Sequence, residues 1–535
     1  MKETINGKCV DYTFDGQGIV KNNGKVIFVP GLLKDEEATI EILYQKKDFD
    51  VGRIVKINTF SPFRIKPKCP CSTACGGCCF QALDYQEQLK LKFNHASDTL
   101  KKIGGISKVI SNIYGMEYPY EYRNKIQIPF GFDRQKRIIY GFYKYKSHDI
   151  VPIENCAIED KVHVNILKTI KELMRTMHID PYNEDTRRGI VRHVLIRHGK
   201  VSNETMVVFV VNQLMFPSRK NFVKELVKQN PYISTVVFNL NDRDTNVILG
   251  SKEDVVYGSG FIYDTLCGIR FKISSKSFYQ VNHDQCEVLY NLAIKEAELK
   301  PTDIVLDAYC GIGTIGLIAS KQCKTVDGVE IIKEAIYDAT NNAKYNGITN
   351  AKFVCDDASN YMMNKKYDVV FVDPPRKGLD DPFLKSLLKN EPNKIIYVSC
   401  DVATLARDLK LLKIKYDVKS INLVDMFPHT FHVETVVCLS QRKIDETIKV
   451  EVDGDALPVT KAETKATYED IQKYVFDKYS VKVSSLDISR VKTKCGIKER
   501  KNYNLSKSNY YKQPNITDEN ERIILEALKS FKMIG

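Results

Sequence analysis

Residues 305–320, VLDAYCGIGTIGLIAS, constrain the fold more than any other stretch of the chain. They read as an apolar strand, a turn at Gly311 and Gly313, and an apolar helix. Glycine lets the backbone approach a ligand closely while the helix still packs on the strand. The next apolar run, TVDGVE, ends at Glu330, where a carboxylate can accept hydrogen bonds from both hydroxyls of a ribose. From Pro301 to about Gln441 strands and helices alternate in close order. That order predicts a doubly wound parallel sheet with a ligand crevice outside the carboxyl ends of its strands.

A ribose site does not by itself separate a dinucleotide from S-adenosylmethionine. The run YDVVFVDPPRKGL discriminates better, because two prolines fix the backbone after the strand and aim Asp373 at the crevice. Asp357, after the strand in FVCDDA, is expected beside an adenine, with a plain turn aspartate as the alternative. One strand further, KIIYVSCDVATLARDL places Cys400 just ahead of a helix, where partial positive charge favours a thiolate. In DMFPHTFHVETVVCL, Glu434 leads from a polar turn into the next apolar run. A nucleophile and a carboxylate base are thus expected to flank one crevice.

The ordered set SFYQVN, DAYCGIGT, DPPRKGL, SCDVATLARD and DMFPHTFHVET resembles the RNA uracil-5-methyltransferases, in particular the bacterial branch acting on 23S ribosomal RNA. The resemblance reaches from the amino terminus to about residue 441. It implies a multidomain α/β protein: an OB-like β-barrel of the TRAM type at 1–60, and a central α+β domain with an iron-sulfur loop at 61–265. A Rossmann-like class I methyltransferase domain follows at 266–443, and a basic helical extension at 444–535 lies outside the resemblance. With the family come S-adenosylmethionine as methyl donor and Gln280, Tyr309, Gly311, Glu330, Asp357 and Asp373 as the expected cofactor residues. Carbon 5 of uracil is a poor nucleophile, so the Cys400 thiolate is expected to add to carbon 6, and Glu434 to remove the carbon 5 proton after methyl transfer. One departure is Asp401-Val402 after the nucleophile, where asparagine or aspartate and then proline are expected. A carboxylate there raises the thiol pKa unless it points away, and it is expected to do so.

Fifteen cysteines without an apolar leader argue for metal ligation, catalysis or burial in a cytoplasmic chain rather than for a disulfide scaffold. Residues 68–80, KCPCSTACGGCCF, hold two overlapping spacings. Cys71, Cys75 and Cys78 mimic a radical S-adenosylmethionine signature, which a separate doubly wound cofactor domain makes unnecessary. Cys69, Cys75 and Cys78 match the family's cluster ligands, with Cys156 as the distant fourth, and four thiolates suit a 4Fe-4S cluster. Zinc accepts the same four sulfurs and stays open as the alternative.

The net charge of +13, from 80 basic against 67 acidic residues, suits a partner rich in phosphate, and ribosomal RNA with a single-stranded or loop uridine is expected. In the barrel, Tyr44, Lys46, Lys47 and Phe49 are candidate RNA contacts, and the basic run from Arg490 to Lys512 is another. Neither a membrane nor an obligate protein partner is expected. A transfer RNA substrate and a non-catalytic RNA-binding protein are the competing readings.

Overall fold

The structure is a computed structural model that describes residues 3–144, 147–243, 247–363, 365–442, 468–479, 481–495, 517–531 and 533. The chain divides into two compact units, Met1–Lys443 and Ile444–Gly535.

At the amino terminus, strands Thr4–Tyr12, Gly18–Asn22, Lys25–Val29, Glu37–Gln45 and Phe49–Thr59 form a closed barrel in the order first, second, third, fifth, fourth. Closure leaves no open sheet edge. Its tightest hairpin turns at Asn23-Gly24, with φ of 48° and 79°, the left-handed pair that matches strand twist in a two-residue turn. Cys9, Val20, Ile27, Val29 and Ile40 fill the interior. Tyr44, Lys46 and Lys47 are exposed, whereas Phe49 is half-buried and packs on Phe28 at 5.1 Å.

A central seven-stranded sheet runs in the order Lys252–Tyr257, Ile233–Leu240, Thr205–Val211, Val191–His198, Lys125–Phe132, Ile138–Tyr143, Ile150–Pro152. Helices Lys161–Thr176 and Arg219–Gln229 cover one face, burying Ile166, Ile170 and Phe222 against Ile126, Val194 and Phe209.

The sheet that carries the glycine turn has eight strands: Ala351–Cys355, Thr325–Glu330, Ile304–Ala308, Val369–Val372, Lys394–Ser399, Glu434–Gln441, Tyr416–Val424 and Asn112–Tyr114. The first five are parallel, Glu434–Gln441 is antiparallel to both neighbours, and Asn112–Tyr114 joins the edge in parallel. The last strand comes from a stretch that the sequence reading gave to the central domain. So does helix Tyr85–Gly104, whose Ala96 and Leu100 share a core with Leu405, Leu409 and Leu423. Periodicity and caps set where this helix begins and ends: Asp84 accepts the Gln86 and Glu87 N–H groups, and Gly105 closes it at φ 59°. Which sheet covers its apolar face is decided by distant residues that local periodicity does not contain.

In the second unit, helices Tyr468–Tyr479, Ser485–Lys494 and Asp518–Ser530 bury Ile471, Val475, Ile488, Val491, Ile524 and Leu528 together. Of the basic run, Arg490, Lys492 and Lys494 are described; Lys498 to Lys512 and the linker at 454–465 lie outside the described residues. Among the described residues no helix is long and apolar enough to cross a membrane.

Candidate active site

The glycine turn opens a cradle at the carboxyl end of Ile304–Ala308. Gly311 has φ 53°, and a Cβ placed there meets nothing within 4 Å, so open space lies above it. Gly313 has φ 83° and the reverse constraint, since a Cβ would stand 2.8 Å from the Phe353 ring. Tyr309 holds the left-handed region at φ 64° without being glycine, its ring edge-on to Phe383 at 5.5 Å. Glu330 accepts the Gly311 N–H at 3.3 Å and the Ile332 N–H at 3.1 Å, which orients its carboxylate along the rim. Beside it Ile331 and Ile332 are 71% and 54% exposed, an apolar edge that the sequence reading missed. Asp357 caps helix Ala358–Met362 through the Ser359 and Asn360 N–H groups, so its turn role is real, and its charge also reaches Tyr309. Open space, a carboxylate and an apolar edge around one rim fit the nucleoside of S-adenosylmethionine.

Cys400, Glu434 and Asp373 stand at three adjacent strand ends. Ser399 pairs with Thr435, which sets Cys400 beside Glu434 across the strand pair, and Asp373 follows the neighbouring strand Val369–Val372. Burial pushes the Asp373 carboxyl up to about 7. Glu434 is pushed up to about 8, by burial first and by Asp373 second, with Arg376 opposing. The Cys400 thiol is pushed up to about 11 by burial, then by Glu434 and Asp373, against Arg376. The helix-favoured thiolate expected from sequence is therefore not the resting state. A helix start offers about half a charge, and desolvation beside two carboxylates outweighs it. Asp401 turns its carboxylate to the Ala403 and Thr404 N–H groups at 3.0 and 2.9 Å, capping helix Val402–Leu412; its upward push on the thiol is the smallest of those named.

Gln280 enters from the central side. Its carbonyl accepts the Asn124 Nδ2–H at 3.0 Å, and its side chain contacts the buried Tyr290 hydroxyl, which in turn feels Asp373. Sequence reasoning missed Arg376 and His432, whose Nη2 and Nε2 lie 3.2 Å apart. Burial, then Arg376, pushes His432 down to about 4, so it is neutral at pH 7. The arginine directly after Asp-Pro-Pro was the available signal.

The loop that delivers Glu434, residues 425–433, is held from several sides. The buried Lys92 donates to Asp425 Oδ1 at 2.5 Å and to the Phe427 carbonyl at 3.2 Å, and the Tyr85 hydroxyl donates to Asp425 Oδ2 at 2.8 Å. The His429 N–H donates to Gln88 Oε1 at 3.0 Å, and the His429 carbonyl accepts the Cys79 and Phe80 N–H groups, both at 3.0 Å. The cysteine loop thus hydrogen-bonds directly to the loop that leads into Glu434.

Within the cysteine loop, the Cys69 N–H donates to Gln81 Oε1 at 3.1 Å and Gln81 Nε2–H donates to Cys78 Sγ at 3.5 Å. The thiols of Cys69, Cys75, Cys78 and Cys156 lie within electrostatic reach of one another: Cys69 and Cys75 raise Cys78, and Cys78 and Cys69 raise Cys156. Among the described residues no group of three or more His, Cys, Asp or Glu side chains is arranged to hold a metal ion.

A family model described as tRNA (uracil-5-)-methyltransferase matches residues 239–442. An uncharacterized RNA methyltransferase of Bacillus cereus is 42% identical over 447 residues, 82% of this chain and 97% of its own length. One from Staphylococcus aureus is 40% identical over 80% of this chain and 96% of its own. Among solved structures, the Pyrococcus abyssi tRNA (uracil-54, C5)-methyltransferase in complex with S-adenosyl-L-homocysteine is similar at TM-score 0.67 and 28% identity. It covers 81% of this chain and 100% of its own.

Proposed function

This chain belongs to the RNA uracil-5-methyltransferase family, and from that premise we propose that it methylates carbon 5 of a uridine in 23S ribosomal RNA with S-adenosylmethionine as donor. The observation that carries the chemistry is the side-by-side placement of Cys400 and Glu434, with Asp373 on the next strand end.

Cys400 Sγ gives its proton to solvent and bonds to carbon 6 of the uracil, and the π pair of the carbon 5 to carbon 6 bond moves into an enolate over carbon 5 and the carbon 4 oxygen, which makes carbon 5 nucleophilic. Bound S-adenosylmethionine supplies the methyl group to carbon 5. Glu434 then takes the proton from carbon 5, the bond from Cys400 to carbon 6 breaks, and the carbon 5 to carbon 6 double bond returns. For this Glu434 must be ionised when its turn comes. Arg376 already pulls its pKa downward, and any further positive charge brought into the crevice acts in the same direction. Tyr309, Gly311, Glu330 and Asp357 hold the nucleoside end of the donor, while Gln280 and Asp373 close the crevice near the reacting carbon. The target base leaves its stack to reach this crevice, which suits a uridine in a loop.

Cys69, Cys75, Cys78 and Cys156 are the proposed ligands of a 4Fe-4S cluster, which would supply a rigid cross-link between the cysteine loop and the central domain. The mutual proximity of these thiols supports a shared ligand set, and the choice of a cluster over zinc, which accepts the same four sulfurs, rests on the family resemblance. Iron, sulfide and zinc analysis of protein purified without oxygen checks the assignment. The barrel is read as a TRAM-type RNA contact, supported by exposed Tyr44, Lys46 and Lys47.

The likeness to a transfer RNA enzyme favours a second reading, in which the same chemistry acts on transfer RNA. Methylation of unmodified ribosomal and transfer RNA side by side, read by nucleoside mass spectrometry, separates the two.

A further inference from the structure

Strands Phe261–Leu266 and Ile269–Ser274 pair as a two-stranded hairpin that joins neither large sheet. Side chains of a strand alternate between faces, and one face of this hairpin is core, with Ile262, Leu266, Phe271 and Ile273 buried together. The opposite face should then be polar. It carries aromatic rings instead. Phe261 and Tyr263 stand edge to face with centroids 5.4 Å apart, and Tyr345, the last residue of helix Lys333–Tyr345, meets Tyr263 at 5.6 Å. Tyr345 is 56% exposed, so the row is open to solvent.

Two of these rings carry a cation. The Arg270 guanidinium lies 3.9 Å from the Tyr263 centroid and the Lys272 ammonium 4.2 Å from that of Phe261, each reached diagonally across the strand pair. Among the described residues neither cation has a carboxylate within ion-pair distance. Glu204 accepts the Tyr263 N–H at 2.8 Å, and Asp338 accepts the Ser277 hydroxyl at 3.0 Å. The strand of the cations is pinned to the helix of Tyr345: Asn342 Oδ1 accepts the Lys272 N–H at 2.8 Å and Asn346 Oδ1 the Arg270 N–H at 2.9 Å. Rings and charges held this way lose little freedom when something binds.

The chemistry of the face selects its partner. Rings interleaved with unpaired cations suit a single strand of nucleic acid, whose bases settle on the apolar layer while its phosphates meet the charges. The place of the face agrees. Phe261 pairs with Ser274, whose N–H and hydroxyl bond to the Ser277 hydroxyl at 2.9 and 2.7 Å. Directly after Ser277 come Phe278, 72% exposed, and then Gln280 of the crevice.

We propose that the outer face of this hairpin, together with Tyr345, is a docking surface for the single-stranded RNA that flanks the target uridine. The surface rests on the reading of the crevice as an RNA methyltransferase site. RNA leaving the crevice past Phe278 lies along Phe261, Tyr263 and Tyr345, with Arg270 and Lys272 on its phosphates. These contacts fix the path of the strand without reading its sequence.

Full-length protein tests this with two oligouridylates, a short one that fills only the crevice and a long one that extends beyond it, each titrated across a salt series. Wild type should bind the long probe more tightly. Tyr345→Ser should cost roughly tenfold in affinity for the long probe, the loss of about one stacked base, and Tyr345→Phe, which keeps the ring, should not. Arg270→Gln should flatten the slope of log affinity against log salt by about 0.7 on the long probe, the release expected of one phosphate contact on a single strand. Both side chains face solvent, and an unchanged Tm shows that each variant is folded. On the short probe both variants should match wild type. Wild-type affinity and slope on the long probe in both variants overturns the proposal and leaves the face to a protein partner. An equal loss on both probes also overturns it, because the contact is then not to the flanking strand. The methylation reading fails separately: no 5-methyluridine from wild type in unmodified ribosomal or transfer RNA, with the long probe still sensitive to Tyr345 and Arg270, sustains the surface and sinks the reaction.

Discussion

At the residue scale, three acids stand close together, and burial first, with mutual repulsion second for Glu434 and Cys400, sets their protonation. Cys400, Glu434 and Asp373 are all held above their ordinary values, so the free crevice at pH 7 stores protons that catalysis must move. In the proposed mechanism Cys400 reacts as a thiolate and Glu434 as a carboxylate, so kcat/KM should climb with pH toward the thiol's value of about 11, with a steeper limb below about 8 that belongs to the Glu434 carboxyl. Glu434→Gln removes that limb and should leave the first bond intact, so RNA bound covalently to Cys400 accumulates on a denaturing gel. The same substitution carries a stability signature. A carboxyl whose folded pKa exceeds its unfolded value destabilises progressively as pH rises from the unfolded value to about 8. Glu434→Gln should therefore raise Tm at pH 9 and leave it unchanged near pH 4. The strand-end positions of Cys400, Glu434 and Asp373 were legible in the sequence, since each follows or opens a strand in a recognisable run. Their protonation was not legible, because it follows from burial and from which strand ends lie side by side. Arg376 and His432 were missed for a related reason: their pairing joins two loops far apart in sequence.

The element that matters most is the loop at 425–433, because its fixation decides where Glu434 stands. Helix Tyr85–Gly104 and the cysteine loop clamp it through Lys92, Gln88 and the Cys79 and Phe80 N–H groups. Lys92→Met leaves Asp425 buried without its partner and should cost roughly 3–5 kcal/mol of stability in denaturant unfolding. Adding Asp425→Leu should recover most of it. Gln88→Leu is the gentler probe: kcat should fall several-fold with KM for RNA unchanged, and some covalent adduct should persist because proton removal lags bond formation. The helix itself was readable from Asp84 and Gly105. Its partners were not, since an apolar stripe announces burial without saying against what, and the eighth strand Asn112–Tyr114 is too short to show a pattern.

Across the whole molecule, the doubly wound order, the amino-terminal barrel and the change of character near residue 443 were legible, because each is written in spacing and composition. The relatives at 40–42% identity match over nearly their full length while leaving about a fifth of this chain unmatched. The family model matches residues 239–442, inside the larger unit, so protein ending at Lys443 should keep the wild-type rate on saturating RNA. The central claim is covalent uridine methylation at Cys400. Its most direct measurement is incubation of the purified protein with methyl-labelled S-adenosylmethionine and unmodified ribosomal and transfer RNA, wild type beside Cys400→Ala, followed by nucleoside mass spectrometry. The account predicts labelled 5-methyluridine in ribosomal RNA from wild type and none from Cys400→Ala. No 5-methyluridine from wild type with donor bound, or undiminished product from Cys400→Ala, would contradict it.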